Sequence, residues 1–216
     1  MVKLALLLEP YTNFLILEKD KKVYVKFKEG DSRINVRSEA TLYDFNIDIL
    51  AQMNIDLAKR KDWDGSFTNM QLSKKLSENE DVIYHEMKMP FPLSNRDFVQ
   101  YRYYVNNFLH PEEVEQRGLW KTPNKYWVIV LQSVIMDEHP EKKGAVRGEN
   151  TTTMIFEEDK DDPKKVHYKM VSATDLKGNI PLWVLQSAVG KQAAKVMDQT
   201  FDSYRKFASR WSSAAH

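Results

Sequence analysis

The chain has 216 residues, 42% hydrophobic and 12% aromatic, enough apolar surface for a sizeable core and too much for a disordered chain. Its 32 Lys and Arg balance 31 Asp and Glu, so no net field draws nucleic acid or an anionic membrane from a distance. The lack of cysteine removes disulfides, thiolate chemistry and Cys-ligated zinc, and fits a reducing, cytoplasmic setting.

At the start, Leu4 to Leu8 is the only continuous apolar run, and no small-residue cleavage site follows it, so it reads as a packing segment rather than a signal peptide. No apolar run anywhere approaches the roughly 20 residues needed to cross a bilayer. Val23, Val25 and Phe27 alternate with polar residues, and Ile34 to Arg37 resumes the alternation after a Gly30 turn, which predicts a β-hairpin. From Tyr43 to Lys59, Phe45, Ile49, Met53 and Leu57 recur every fourth residue and predict one helix.

Strand-like runs follow at about 66–76, 80–89, 98–108, 125–136, 150–158 and 165–174, separated by turn formers such as Pro90-Phe91-Pro92 and Asp161-Asp162-Pro163. Connections this short favour antiparallel pairing, because parallel pairing needs a long crossover. Tyr126 to Met136 is almost continuously apolar, so both of its faces should be covered. On the 98–108 strand Phe98, Gln100, Arg102 and Tyr104 share one face, while Val99, Tyr101, Tyr103 and Val105 share the other. After Pro181, apolar residues at helical spacing, among them Leu185, Phe201, Tyr204, Phe207 and Trp211, predict a closing helix from about Ile180 to Trp211. Such a helix is roughly 45 Å long, enough to cross a whole sheet; Gly190 inside it predicts a bend or a close contact. No repeat or linker divides the chain, so residues 1–216 are expected to form one α+β domain.

Catalytic motifs are missing. His85-Glu86-Met87-Lys88-Met89 begins like a zinc-protease helix but lacks the second histidine, and there is no nucleophile elbow, dinucleotide fingerprint, phosphate loop or calcium loop. The acidic stretch from Glu157 to Asp162 surrounds a turn and reads as a solvated loop. No metal and no cofactor are expected, and the chain is not expected to be an enzyme.

Arg60-Lys61-Asp62-Trp63-Asp64, Tyr84-His85-Glu86, Ser94-Asn95-Arg96-Asp97-Phe98-Val99, Val146-Arg147 and Asp175 to Val184 fall in one order. Together with the closing amphipathic helix, this series resembles the StAR-related lipid transfer (START) domain family from about Phe14 to the C-terminus. Tyr84 to Val99 is most similar to the phosphatidylcholine transfer branch. The resemblance implies a helix-grip fold, in which a curved antiparallel sheet wraps a long C-terminal helix around an internal apolar tunnel. It also implies non-enzymatic binding and transfer of one lipid, a phospholipid before a sphingolipid or sterol, by a cytoplasmic monomer that touches membranes transiently.

Carried over residue by residue, the resemblance makes Arg60 a partner for lipid phosphate and places His85, Phe98 and Thr151 where the choline carrier has an aromatic cage. Only Phe98 keeps such a ring, which weakens the case for choline. Glu86 and Arg102 match a charged pair in the tunnel, and Met89, Phe91 and Leu93 match its mouth. Trp63, Arg96, Asp97, Arg147 and Asp175 read as architectural. Two other readings stay open: a lipid-sensing or scaffold domain, and a helix-grip enzyme built on His85 and Glu86. Those two side chains are adjacent on a predicted strand and point to opposite faces, which counts against their cooperating.

Overall fold

The computed structural model describes residues 14–18, 20–27, 33–89, 93–119, 122–178, 180, 197–208 and 210. The strands are β1 (Phe14–Glu18), β2 (Lys21–Phe27), β3 (Arg33–Leu42), β4 (Phe67–Lys75), β5 (Glu80–Met87), β6 (Asn95–Asn106), β7 (Tyr126–Ser133), β8 (Ala145–Arg147), β9 (Glu149–Glu158) and β10 (Val166–Asp175). The helices are α1 (Ile47–Ile55), α2 (Leu57–Trp63) and α3 (Pro111–Gln116), and residues 197–208 are helical as well. One sheet runs in the order β1-β2-β3-β10-β9-β7-β6-β5-β4, with β8 added alongside β6. Every pair is antiparallel except β6 with β8, and the sheet does not close.

The predicted hairpin and all six predicted strands are present, with ends shifted by a few residues. β1, β8 and α3 were not predicted: β1 and β8 are short, and α3 is a six-residue helix opened by Pro111. The single helix predicted over 43–59 is two. Asp56 adopts an extended conformation at the end of α1, and its carboxylate accepts from the Ala58 and Lys59 amides at 2.9 and 3.2 Å to start α2.

Alternation divides each strand between two layers. Trp127, Ile129 and Leu131 of β7 face the inner cluster with α1 and the C-terminal helix, whereas Val128 and Val130 pack outward beneath Val114 of α3. From Tyr126 to Leu131 the run is therefore covered on both faces, whereas Ile135, beyond the end of β7, is exposed. Met197, Phe201 and Tyr204 of the C-terminal helix join the inner cluster with Phe156 and Tyr168. The Tyr204 hydroxyl accepts from Asn54 Nδ2 at 2.8 Å, and its ring meets Trp63 edge-on at 5.0 Å. Of the helix predicted from Ile180, Ile180 itself is described and not helical, while residues 181–196, with Gly190, lie outside the described residues, as does Trp211.

Among the signature residues, Asp97 receives Nε and Nη2 of Arg147 at 3.0 and 2.9 Å. Arg96 donates to the carbonyls of Ser94, Leu176 and Lys177, which anchors the segment after β10. Arg102 is 3% exposed and holds Asp81 through Nε at 2.8 Å and Nη2 at 2.7 Å. Its Nη1 also donates to the carbonyls of Asn54 and Ile55 at 3.2 and 2.7 Å. Removing one partner strands a buried charge, so Asp81→Ala is expected to lower stability by about 3–5 kcal/mol in urea unfolding. The double substitution Asp81→Leu with Arg102→Met should recover at least half of that loss, because it removes both charges together.

Candidate functional site

The inner face of the sheet is apolar around Ile129, Met154 and Phe156 and becomes polar toward β5, β6, the start of β9 and the end of β10, where His85, Gln100, Asn150 and Thr174 stand. Arg60, on α2, is 13% exposed in its side chain and donates through Nε to Asp64 at 3.2 Å. Its guanidinium stacks over the Phe67 ring at 5.0 Å. Phe67 meets His85 edge-on at 4.6 Å, and His85 lies 5.2 Å from Phe98. The sequence-predicted residues Arg60, His85 and Phe98 are thus brought into one track, linked by Phe67. A depression of about 310 Å³ opens beside it, lined by Lys61, Asp64, Phe67, Thr68, Asn69 and Met70.

Phe98 sits where it does because Gly148 gives way to it. A Cβ at Gly148 would lie 2.4 Å from Phe98 Cε1, so only glycine admits the ring. Two residues along β6, Gln100 donates from Nε2 to Asn150 Oδ1 at 2.8 Å. Asn150 in turn donates from Nδ2 to Ser172 Oγ at 3.0 Å and Thr174 Oγ1 at 2.6 Å, and Thr152 donates to Asn150 Oδ1 at 2.9 Å. This network was not foreseen from the sequence. Its signal is there nonetheless: Asn150 and Thr152 are in phase with the inward Met154 and Phe156, as Ser172 and Thr174 are with Tyr168 and Met170.

Two predicted residues stand elsewhere. Glu86 lies on the outer face, where it accepts from the Tyr84 hydroxyl at 2.6 Å and lies 3.9 Å from Lys142 Nζ. The charged pair expected between Glu86 and Arg102 is corrected to Asp81 with Arg102, because Asp81 is the residue opposite Arg102 in the β5–β6 register. Thr151 alternates with the inward Asn150 and Thr152 and shares the outer face with Ile155, so Thr152 takes the inward place expected of it. At the expected mouth, Met89 packs against the inner cluster and receives a carboxamide contact, its amide donating to Asn95 Oδ1 at 3.3 Å. Leu93 is half-buried, and Phe91 lies outside the described residues.

His85 is 6% exposed, and its Nδ1 has no hydrogen-bond partner among the described residues. Burial first, and the nearby Arg60 charge second, push the imidazole down to about 3 from its ordinary 6.5. The same Arg60 charge reaches Tyr168 and Tyr204, whose hydroxyls burial pushes up, so the guanidinium acts on the interior. As pH falls below 6.5 the unfolded chain takes up a proton that the folded His85 refuses until about 3. The stability that neutral His85 supports is therefore complete above that window and drains away on acidification through it. NMR of labelled protein should show the His85 imidazole neutral from pH 8 to about 4.5, and His85→Phe should flatten the acid limb of a stability–pH curve.

A family model described as START domain matches residues 15–210. Phosphatidylcholine transfer protein of Bos taurus is 33% identical over 142 residues, which is 65% of this chain and 59% of that protein's length. The match therefore spans less than two thirds of the relative. The crystal structure of human STARD10 superposes with a TM-score of 0.76 over 94% of this chain and 76% of that one, at 22% identity. Human StAR-related lipid transfer protein 5 gives 0.73 over 91% and 87%, at 16% identity. Both structures share the helix-grip fold, an antiparallel sheet gripping a C-terminal helix, and with the matched family model the chain belongs to the START domain family.

Proposed function

We propose that the chain binds one phospholipid between the inner face of its sheet and the C-terminal helix, and carries it between membranes without chemical change. The observation that carries this reading is the polar track on an otherwise apolar inner face. Arg60, His85 and Gln100 are largely buried there with hydrogen-bonding capacity left over, while Ile129, Leu131, Met154 and Phe156 present only apolar surface. An amphipathic ligand matches that division. Its acyl chains gain about 25 cal/mol for each Å² removed from water, and its headgroup satisfies groups that otherwise remain unpaired.

Arg60 is the residue for phosphate. A guanidinium offers a planar fork of donors that fits phosphate oxygens, and Asp64 engages Nε while Nη1 and Nη2 make no hydrogen bond among the described residues. The relatives named for phosphatidylcholine transfer and lipid transfer support the same ligand class. In the free protein Asp64 and Phe67 hold the guanidinium in position, which spares the ligand the cost of ordering it. The carrier is read as a monomer in the cytoplasm that touches membranes briefly through the segment around Met89 to Leu93.

The test is transfer of a fluorescent phospholipid between vesicles, with native mass spectrometry of the protein recovered afterwards. Wild type should accelerate exchange and carry one phospholipid per chain. Arg60→Ala should slow transfer about tenfold or more, the size expected for losing a charge-assisted hydrogen bond. Arg60→Lys should fall between, since it keeps the charge and loses the fork. Unchanged transfer by Arg60→Ala, with its fold intact by circular dichroism, would remove Arg60 from the headgroup site.

A further inference from the structure

The amide network on β6, β9 and β10 has no part in closing the sheet. Backbone pairing between β9 and β10 is complete from Glu149 to Glu158 without it. Its members are side chains on the inner face, and it ends on a loose bond. Gln100 is 2% exposed, its Nε2 is committed to Asn150, and its Oε1 has no partner among the described residues. Asn150 is held in turn by three hydroxyls: Thr152 donates to its Oδ1, and Ser172 and Thr174 accept from its Nδ2. The backbone amide of Asn150 is also fixed, donating to Ser133 Oγ at 2.8 Å. With Asn150 so oriented, Gln100 presents an acceptor.

A second unpartnered polar atom lies close by. His85 faces Phe98 across β5 and β6, and Gln100 is two residues beyond Phe98, about 7 Å along the strand. His85 is neutral at any physiological pH, and in the tautomer protonated at Nε2 its free Nδ1 is a second acceptor. Of the carboxylates near this face, Asp81 is engaged by Arg102 and Asp64 by Arg60. The buried site therefore offers acceptors and two phenylalanine rings, of which Phe67 already carries the Arg60 guanidinium over its face and Phe98 packs on His85, where a quaternary ammonium needs several free aromatic faces.

We propose that Gln100, oriented by Asn150, Thr152, Ser172 and Thr174 and assisted by His85, selects phospholipids whose headgroup carries N–H donors over those carrying a trimethylammonium. A primary ammonium donates to Gln100 Oε1 and His85 Nδ1. A trimethylammonium has no hydrogen to give and leaves both acceptors buried and unpaired. Sites built to hydrogen-bond a ligand reject the analogue that lacks the donor far more strongly than apolar pockets reject a misfit. The inference rests on the reading of the chain as a phospholipid carrier and adds to it a headgroup class and the residues that read it.

The experiment uses the full chain with vesicles containing equal amounts of phosphatidylethanolamine, its N-methyl and N,N-dimethyl derivatives, and phosphatidylcholine, all with the same acyl chains. Native mass spectrometry reads the ratio of bound lipids. Occupancy should fall with each added methyl, with phosphatidylethanolamine at least tenfold over phosphatidylcholine. Gln100→Leu should bring that ratio to within twofold through loss of phosphatidylethanolamine occupancy, with its fold checked by circular dichroism, and Thr152→Val should shift the ratio part of the way. A wild-type ratio that is even or favours phosphatidylcholine overturns the proposal, as does a ratio that Gln100→Leu leaves unchanged in a folded variant. If none of the four lipids loads, the carrier reading itself fails, an outcome distinct from loading without discrimination.

Discussion

The arrangement depends on what Arg102 does on β6, where the sheet meets the end of α1. One guanidinium binds both oxygens of Asp81 and caps the last carbonyls of α1, so a single buried side chain joins two strands to the helical layer. The end of a helix leaves carbonyls without partners, and under a sheet no water is at hand to take them. Arg102 answers that need and fixes where α1 stops. Asp56 then caps α2 at once, and α2 carries Arg60 into the site and Trp63 against the C-terminal helix. A buried ion pair adds little net stability over well-packed apolar residues, yet it tolerates few alternative placements. Its value here is positional.

The clamp on the C-terminal helix follows from the same junction. Asn54, at the end of α1, donates both to the Leu50 carbonyl and to the Tyr204 hydroxyl at 2.8 Å, while Trp63 donates to the Met53 carbonyl at 3.0 Å and turns its ring edge to Tyr204. Phe201 continues the contact to Tyr168 on β10. Among its described residues the helix is held by one hydrogen bond and aromatic edges around Tyr204, by an ion pair from Asp198 to Lys21 of β2, and otherwise by apolar contact. Apolar contact is non-directional and tolerates sliding, whereas Tyr204 has one place to go. The helix thus has a fixed point at this end.

Strand placement was legible in the sequence because a period of two with turn formers between runs leaves little choice, and β7 announced its two covers by its continuous apolarity. The closing helix was legible from Phe201, Tyr204 and Phe207. What could not be read was whatever depends on strand register. Asp81 and Arg102 are far apart in sequence and meet only because β5 and β6 pair as they do. Glu86 and Thr151 were placed inside by resemblance to a family pattern, and each is one residue out of phase with an inward neighbour, His85 and Thr152. Alternation alone already forbade His85 and Glu86 from sharing a face, so the physical rule was the better guide there. The break at Asp56 was hidden because an every-fourth-residue apolar pattern survives a single extended residue.

The buried polar groups fall into two sets, and the difference between them bears on how a carrier works. Arg102, Asp97, Arg96 and Asn54 have their bonds filled by the protein, and they hold the fold whether or not a ligand is present. Arg60, His85 and Gln100 keep bonding capacity in reserve. A buried donor or acceptor without a partner costs about 1–3 kcal/mol, a penalty that the proposed headgroup would remove. That penalty must stay moderate, because a lipid bound too well would not be released to the next membrane. On the proposed function, three partly satisfied groups, each already steadied by a protein partner or a ring, would favour occupancy while leaving the exchange close to balance.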